Sequence, residues 1–171
     1  VRRIDDLGRV VIPKEIRRTM KIREGDPLEI YTNAGGEVIF KKYSPVGEMT
    51  EFAGQYAEAL SGGTQFSVII CDRDHCIASA GISKKDMIDK PVSSDLESVM
   101  ESRKSVVFSD ESSPTAVEGF PGKLRVAVPI LSAGDIGGAV ALLANAKKNT
   151  VDEADISLAS VAADFIGKQM E

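Results

Sequence analysis

The sequence contains only two cysteines, one histidine and no tryptophan. Two cysteines are too few for the multi-bridge framework of a small secreted domain. A zinc site or a Ser-His-Asp triad would have a single histidine, His75, available to it. No apolar run approaches the roughly 18–20 residues that a membrane-spanning helix needs. These absences argue against a disulfide scaffold, and we expect no membrane partner.

The chain begins with the charged run Val1-Arg2-Arg3-Ile4-Asp5-Asp6, which has no apolar signal-peptide core. We therefore expect a cytoplasmic protein. Because Val1 stands where an initiator methionine is usual, we also expect a few native residues before it. The length of 171 residues allows one ordinary domain or two small ones, and 43% hydrophobic with 27% charged residues is typical of a globular protein.

The net charge of -5 conceals an asymmetry along the chain. Residues 1–43 carry ten Lys or Arg and seven Asp or Glu, whereas residues 44–171 carry eleven and nineteen. The first 23 residues alone hold eight basic and three acidic side chains. A basic N-terminal segment on an acidic remainder indicates a polyanionic partner for that segment only.

Residues 1–43 have the pattern of a compact β-rich unit. The β-branched run at 9–12 predicts a first strand, which Arg9 begins, and Pro13 suits the first turn of a short helix over 14–20. Two further strands, at 28–31 and 37–41, predict a hairpin. A unit of this size usually needs a metal, disulfides or oligomerisation. Because it contains neither cysteine nor histidine, we expect an intertwined dimer.

Residues 44–62 predict a linker helix between two domains. Ser44 and Pro45 suit the N-cap and the first helical position. Apolar residues then repeat at helical spacing as far as Leu60, and Ser61-Gly62-Gly63 is expected to end the helix. Its apolar stripe predicts packing on the body of the chain or on a partner helix.

Residues 63–171 predict an α+β domain in which helices flank an antiparallel sheet. Capping-box patterns beginning at Ser83, Ser94 and Thr150 predict three helices. Apolar runs predict strands at 66–72, 76–79, 105–108, 124–131 and 135–144, with a polar loop at 110–122. The Gly137-Gly138 pair lacks the lysine and the strand-to-helix setting of a phosphate-binding loop, and predicts a bulge or close approach within a strand.

Arginines are the candidate functional side chains of the N-terminal unit. A guanidinium group matches the oxygens of a phosphate and the edge of a guanine. A dimer would double the set around a twofold axis, which suits a duplex. The alternative is a solvated charged surface with ion pairs, for example to Asp5 or Asp6. The residues concerned are Arg2, Arg3, Arg9, Arg17 and Arg18.

The order of charged loop, β-branched strand, proline and double arginine over residues 1–20 closely resembles the AbrB-type swapped-hairpin DNA-binding family. The match continues through 25–30 to Lys41-Lys42-Tyr43. With its acidic C-terminal part, which includes the run Val68 to Asp74, the whole chain is similar to the stage V sporulation protein T (SpoVT) family, whose C-terminal domain is GAF-like.

The resemblance implies a sporulation-associated transcriptional regulator, not an enzyme, that binds double-stranded DNA. Its heads would dimerise by exchanging β-hairpins. The matching DNA-contacting positions are Arg2, Arg9, Arg17 and Arg18, with Arg3 as a secondary candidate beside Arg2. Such heads often read DNA shape and flexibility more than a strict base code.

For the GAF-like domain, the resemblance implies signal sensing or self-association to a homotetramer of two DNA-binding dimers. An unidentified small-molecule effector would lie between the sheet and a cover formed by residues 83–100 and 110–122, an expectation from fold analogy alone. We expect no metal and no cofactor.

Two other functions remain open from the sequence. Antitoxins use the same kind of head, although they usually end in a short toxin-wrapping tail. A GAF-type redox enzyme could use Cys71 and Cys76, and with His75 these residues form a Cys-x3-His-Cys run. Three soft ligands are too few for a closed zinc site, and adjacent residues on a strand point to opposite faces. The simpler interpretation is a buried Cys71 on a core strand with His75 exposed in the turn.

Overall fold

The computed structural model describes residues 1–109 and 111–171. The chain divides into two compact units, Val1–Tyr43 and Ser44–Glu171. None of the helices in these described ranges combines the length and the apolar character needed to cross a bilayer. Asp110, the first residue of the loop predicted at 110–122, lies outside the described residues.

The first unit contains one short helix and one hairpin. Helix α1 spans Lys14–Thr19, and strands β1 (Leu28–Thr32) and β2 (Val38–Lys42) pair antiparallel. The Asn33 side-chain carbonyl accepts hydrogen bonds from the backbone N–H groups of Gly35 and Glu37, which fixes the connecting loop. The structure therefore confirms the predicted helix and hairpin.

The strand predicted at residues 9–12 is wrong for the single chain. These residues lie outside any strand, and Val11 is 72% exposed. A β-strand is defined by the ladder that it forms with a neighbour. Within the first unit, β1 and β2 pair with each other and form a two-stranded sheet. The β-branched run therefore has the propensity for a strand but no ladder in one copy of the chain.

The second unit is built on a five-stranded antiparallel sheet with the order β4-β3-β7-β6-β5. Apolar side chains cover both of its faces. This arrangement confirms the predicted α+β class. The strands are β3 (Ser67–Asp72), β4 (Cys76–Ala80), β5 (Val106–Val107), β6 (Leu124–Ser132) and β7 (Asp135–Leu143).

Helices flank the two faces of this sheet. On one face lie α2 (Pro45–Glu48), α3 (Thr50–Thr64) and α6 (Glu153–Gln169). On the other lie α4 (Lys84–Met87), α5 (Ser94–Ser102) and apolar residues of the 111–122 segment. The sheet is thus buried on both sides, which explains why most of its strands are apolar without alternation.

The predicted single helix from Pro45 to Leu60 is interrupted and ends later. Ser44 is the N-cap as predicted, because its hydroxyl accepts from the Gly47 N–H. The chain breaks at Met49 between α2 and α3. Gly62 and Gly63 remain helical, and the helix ends where Gln65 adopts a left-handed conformation with φ of 65°. A left-handed C-terminal residue ends a helix because it directs the next N–H back to the last turn.

The predicted capping boxes were displaced or absent. Helix α5 is capped by Ser93, whose hydroxyl accepts from the Leu96 N–H. Helix α6 has a full capping box formed by Asp152 and Asp155, two residues later than the predicted start at Thr150. Ser83 occupies the N-cap of α4 but makes no capping hydrogen bond. Several Ser, Thr and Asp residues stand near each helix start, so the pattern alone could not fix the cap.

The Gly137-Gly138 pair confirms the predicted close approach within a strand. A Cβ atom on Gly138 would lie 1.9 Å from the Cys71 carbonyl oxygen, which belongs to the neighbouring strand β3. No side chain fits at that distance, so β3 and β7 can keep this separation only with glycine.

Replacing Gly138 with alanine should destabilise the second unit by about 1–3 kcal/mol, because the added methyl group forces two paired strands apart. Urea unfolding followed by circular dichroism would measure the change. The control is Gly54→Ala in α3, where an added Cβ meets nothing within 4 Å. That substitution should stabilise the protein by up to about 1 kcal/mol, because alanine favours helix. Equal urea midpoints for Gly138→Ala and the wild type would contradict this account.

Candidate nucleic-acid interface

Asp5 organises a tight turn near the N-terminus. Its carboxylate oxygen Oδ1 accepts hydrogen bonds from the backbone N–H groups of Leu7, at 3.0 Å, and Arg9, at 2.8 Å. The backbone closes the same turn, because the Asp5 N–H donates to the Arg9 carbonyl and the Gly8 N–H donates to the Asp5 carbonyl. Gly8 has φ of +77°, a left-handed conformation that favours glycine.

The side chain of Arg9 is held by the same carboxylate. Its Nε donates to Asp5 Oδ2 at 2.7 Å. Hydrogen bonds from the backbone and then the side chain of Arg9 lower the pKa of Asp5 below its ordinary value of 3.8. The ion pair allowed for in the sequence analysis therefore exists, but it uses one of the five guanidinium N–H donors of Arg9. Arg9 is fixed in orientation and keeps donors for a phosphate.

Because the pKa of Asp5 is lowered, the stabilisation of this turn is complete above pH 3.8 and is lost as the pH falls through the lower pKa of the folded protein. We expect the backbone amide NMR signals of Leu7 and Arg9 to shift together over that acidic range. The variant Asp5→Asn keeps a side-chain acceptor but removes the titrating charge. Signals that move equally in the wild type and in this variant would show that Asp5 does not hold the turn.

Arg17 and Arg18 occupy the last turn of α1. Both side chains are exposed, and α1 contains no buried residue. The helix is placed by its ends, since Pro13 precedes it and the Ile22 N–H donates to the Arg17 carbonyl after it. Positive side chains at a helix C-terminus are electrostatically favourable.

Arg2 and Arg3 lie in the exposed segment before the Asp5 turn. The five candidate arginines therefore come from three neighbouring segments of the first unit: the N-terminal segment, the turn and α1. Arg2, Arg3, Arg17 and Arg18 form no ion pair within residues 1–109 and 111–171. Their charge is available to an anionic partner.

Sequence reasoning missed the role of Asp5 as the organiser of the turn and treated it only as a neutralising partner. The signal was present, because an aspartate three residues before a glycine is typical of a turn in which the side chain bonds to the following backbone. Here the carboxylate fixes both the backbone and the side chain of Arg9.

In the second unit, the Cys71, His75 and Cys76 run does not converge. Both cysteines are fully buried, whereas His75 is exposed in the turn between β3 and β4. The structure thus confirms the simpler interpretation of these residues. Across the described ranges, no three His, Cys, Asp or Glu side chains are grouped so that they could hold a metal ion.

The expected effector cover does pack on the sheet, but apolar side chains fill the space beneath it. Met87, Leu96, Met100 and Val117 are each at most 2% exposed in that layer. Two surface depressions lie elsewhere. One, of about 310 Å³, follows α2 and α3, and another, of about 740 Å³, lies between the end of α3 and the segment at 145–147.

The start of the second unit is tied to its sheet by a side-chain hydrogen bond. The Ser44 hydroxyl donates to Asp72 Oδ2 at 2.8 Å, while the other Asp72 oxygen accepts from the backbone N–H groups of Asp74 and His75. Asp72 therefore fixes both the β3–β4 turn and the first residue after the N-terminal unit.

Two family models together account for the chain. The model described as "Stage V sporulation protein T C-terminal, transcription factor" matches residues 48–171. The model described as "Antidote-toxin recognition MazE, bacterial antitoxin" matches residues 1–47. The boundary between the two matches falls close to the boundary between the two structural units.

Individual proteins agree with this division. The GAF domain of a phosphoenolpyruvate-protein phosphotransferase from Acinetobacter has a TM-score of 0.58 at 12% identity, covering 76% of this chain and 84% of that one. This likeness shows the fold of the second unit. The transition state regulatory protein AbrB of Bacillus subtilis is 58% identical over 45 residues, which are 26% of this chain and 46% of that protein.

A match to a third protein extends over both units. Stage V sporulation protein T of Bacillus subtilis is 50% identical over 173 aligned positions, covering 100% of this chain and 96% of that protein. An AbrB-like head followed by a GAF-like domain is therefore shared along the full length. The chain belongs to the stage V sporulation protein T family of transcription factors.

Proposed function

We propose that two copies of residues 1–43 interlace and bind double-stranded DNA through Arg2, Arg3, Arg9, Arg17 and Arg18. The observation that carries this proposal is the exposure of both the arginines and the apolar side chains of this unit in a single copy. The arginines supply charge for phosphates. The apolar side chains require another protein surface, and a second copy supplies one.

The apolar surface of the first unit is too large for a free monomer. No residue of 1–43 is buried, and twelve large hydrophobic residues are exposed. Monomeric proteins seldom leave so continuous an apolar surface in water. They are Val1, Ile4, Leu7, Val10, Val11, Ile16, Met20, Ile30, Tyr31, Val38, Ile39 and Tyr43.

The extended run at 9–12 supports hairpin exchange in particular. It has β-branched side chains and strand propensity, yet it forms no ladder in one chain. Pairing with a second copy gives its backbone N–H and C=O groups partners and buries Val10 and Val11. The exchange places two sets of arginines around one twofold axis, which matches the symmetry of a duplex.

The second unit has its own surface for self-association. Leu158, Val161 and Phe165 project from α6 at helical spacing and are 43%, 61% and 41% exposed. Phe165 stacks on Tyr56 of α3 with ring centroids 5.6 Å apart, so the patch continues on to a second helix. Pairing of these patches would join two DNA-binding dimers into a tetramer.

The chain acts as a regulator and not as an enzyme in this proposal. Its two thiols are fully buried, which does not suit a redox catalyst that must reach its substrate. An effector that enters between the sheet and its apolar cover, or tetramerisation itself, would alter the heads through the segment that begins at Ser44.

Two matched substitutions test the assembly in the full chain. Val11→Asp places a charge in the proposed exchange surface, and Val161→Asp does so on α6. We expect Val11→Asp to abolish specific retention of duplex DNA and dimerisation of the heads. We expect Val161→Asp to reduce the tetramer to dimers that still bind DNA. Light scattering and fluorescence anisotropy with a labelled duplex measure both properties.

A Val11→Asp protein that still binds DNA as tightly as the wild type would overturn the interlaced head. A Val161→Asp protein that remains tetrameric would overturn the role of α6. Circular dichroism of each variant checks that the second unit is still folded.

A further inference from the structure

The two cysteines of the chain face each other across the β3–β4 hairpin. Cys71 is the register partner of Cys76 in this antiparallel pair. A bulge lies beside them, since Ile70 pairs with Ala78 and Ile77 has no residue opposite. Both cysteine side chains belong to the same apolar cluster, on the face of the sheet that α4 and α5 cover. They therefore lie next to each other on one side of the hairpin.

The backbone shows which kind of cross-strand pair this is. The Cys76 N–H donates to the Lys90 carbonyl, and the Cys76 carbonyl accepts from the Asp89 N–H, each at 2.9 Å. Both backbone groups of Cys76 therefore point away from Cys71, which makes the two cysteines a non-hydrogen-bonded pair. In such a pair the Cα atoms are about 4.5 Å apart, and a disulfide accepts about 4.4–6.8 Å.

The thiols are also shielded from water. Both are free, and both are fully buried. A hydrogen bond with Cys76, followed by burial, raises the pKa of Cys71 well above its ordinary value of 9.0. Because the thiolate is the reactive form, the closed hairpin reacts slowly. Since β4 is an edge strand, its local opening exposes both thiols together.

We propose that Cys71 and Cys76 are a dithiol that a peroxide converts into an intrachain disulfide across the β3–β4 hairpin. One thiolate attacks a peroxide oxygen, the O–O bond breaks, and a sulfenic acid and the reduced oxygen fragment result. The second sulfur attacks the sulfenic sulfur, forms the S–S bond and releases water. With hydrogen peroxide, two thiols lose two hydrogen atoms and two electrons, and the peroxide becomes two waters. A dithiol reductant reverses the bond by exchange.

The bond would form beside the link that ties Ser44 to the sheet. Cys71 immediately precedes Asp72, whose carboxylate holds both the turn and the Ser44 hydroxyl. Oxidation would therefore lock the hairpin that anchors the first residue after the N-terminal unit. This site does not depend on DNA binding for its existence or for its test.

The test uses the reduced, folded, full-length protein and hydrogen peroxide. After treatment the protein is unfolded, alkylated and analysed by mass spectrometry. We expect a monomeric product that has lost two hydrogen atoms, carries no alkyl group and regains both alkylation sites after dithiothreitol. Because the chain has two cysteines, an intrachain disulfide in this product can only join Cys71 and Cys76.

Cys71→Ala and Cys76→Ala are the matched controls, since each keeps one thiol and neither can form the intrachain bond. A wild-type protein in which both thiols are still alkylated would overturn the proposal. So would a product dominated by disulfide-linked chains, or by sulfinic and sulfonic acids on a single cysteine.

Discussion

Raising the salt concentration from 50 to 200 mM should weaken the binding of the full-length protein to duplex DNA by about 10³–10⁵-fold, as for a protein that neutralises roughly 6–10 phosphates. The proposed dimer supplies ten candidate arginines, five from each copy. Each phosphate contact releases condensed counterions, so the logarithm of the affinity should fall linearly with the logarithm of the salt concentration. Fluorescence anisotropy with a labelled duplex measures this slope.

Removing single arginines should change that slope by a countable amount. Arg17→Ala or Arg18→Ala removes two contacts from a symmetric dimer, so each slope should become shallower by about 2. The fold should persist, because exposed substitutions usually change stability by no more than about 0.5 kcal/mol. The control is Lys104→Ala, which removes an exposed charge of the same sign from the second unit.

Lys104→Ala should leave the slope unchanged. If Arg17→Ala and Arg18→Ala bind with the wild-type affinity and salt dependence, the assignment of the interface to α1 is wrong. A uniform loss in all three variants would instead indicate a general effect of net charge and would also contradict a localised interface.

The parts of the fold that sequence predicted well are those in which one local pattern decides the outcome. Strands β3 and β7 are apolar runs between turn residues, and burial on both faces of the sheet requires such runs. Pro45 after Ser44 begins a helix for reasons contained in those two residues. Helix ends were less predictable. Gly62 and Gly63 stayed helical, because the chain turns at Gln65 instead.

The candidate site was predictable in its residue types but not in its geometry. The excess of arginine in the first unit and its order around Pro13 are properties of the sequence. The hold that Asp5 exerts on Arg9 depends on a turn that closes through backbone hydrogen bonds. The run at 9–12 shows the opposite limit, since its strand propensity is local but a ladder requires a partner strand.

The proximity of Cys71 and Cys76 also follows from register and not from spacing. Four residues separate them, and the hairpin turn at 72–75 makes them register partners. A different turn length would have moved one thiol to the other face of the sheet, because strand side chains alternate.

Replacing Lys148 with alanine should destabilise the second unit by about 3 kcal/mol, near the lower end of the cost of removing one member of a buried ion pair. Lys148 Nζ lies 2.7 Å from the carboxylate of Asp155, whose side chain is 3% exposed, and 5.1 Å from the centre of the Phe66 ring. The substitution leaves that carboxylate buried with the backbone N–H of Asp152 as its remaining hydrogen-bond donor among the contacts described. The start of α6 should loosen as a result. Urea unfolding measures the loss.

The matched control is Lys168→Ala, because Lys168 pairs with Asp164 at a similar distance of 2.8 Å but both side chains are more than 60% exposed. An exposed pair contributes about 0–1 kcal/mol, so this variant should unfold almost as the wild type does. The hydrogen bond to Asp155 raises the pKa of Lys148 above 10.5, so the contribution of Lys148 is complete below pH 10.5 and is lost as the pH rises through its higher pKa in the folded protein. The difference between the wild type and Lys148→Ala should therefore shrink in strongly alkaline solution. Equal losses from the two lysine variants at neutral pH would show that burial of Asp155 does not govern the strength of this pair.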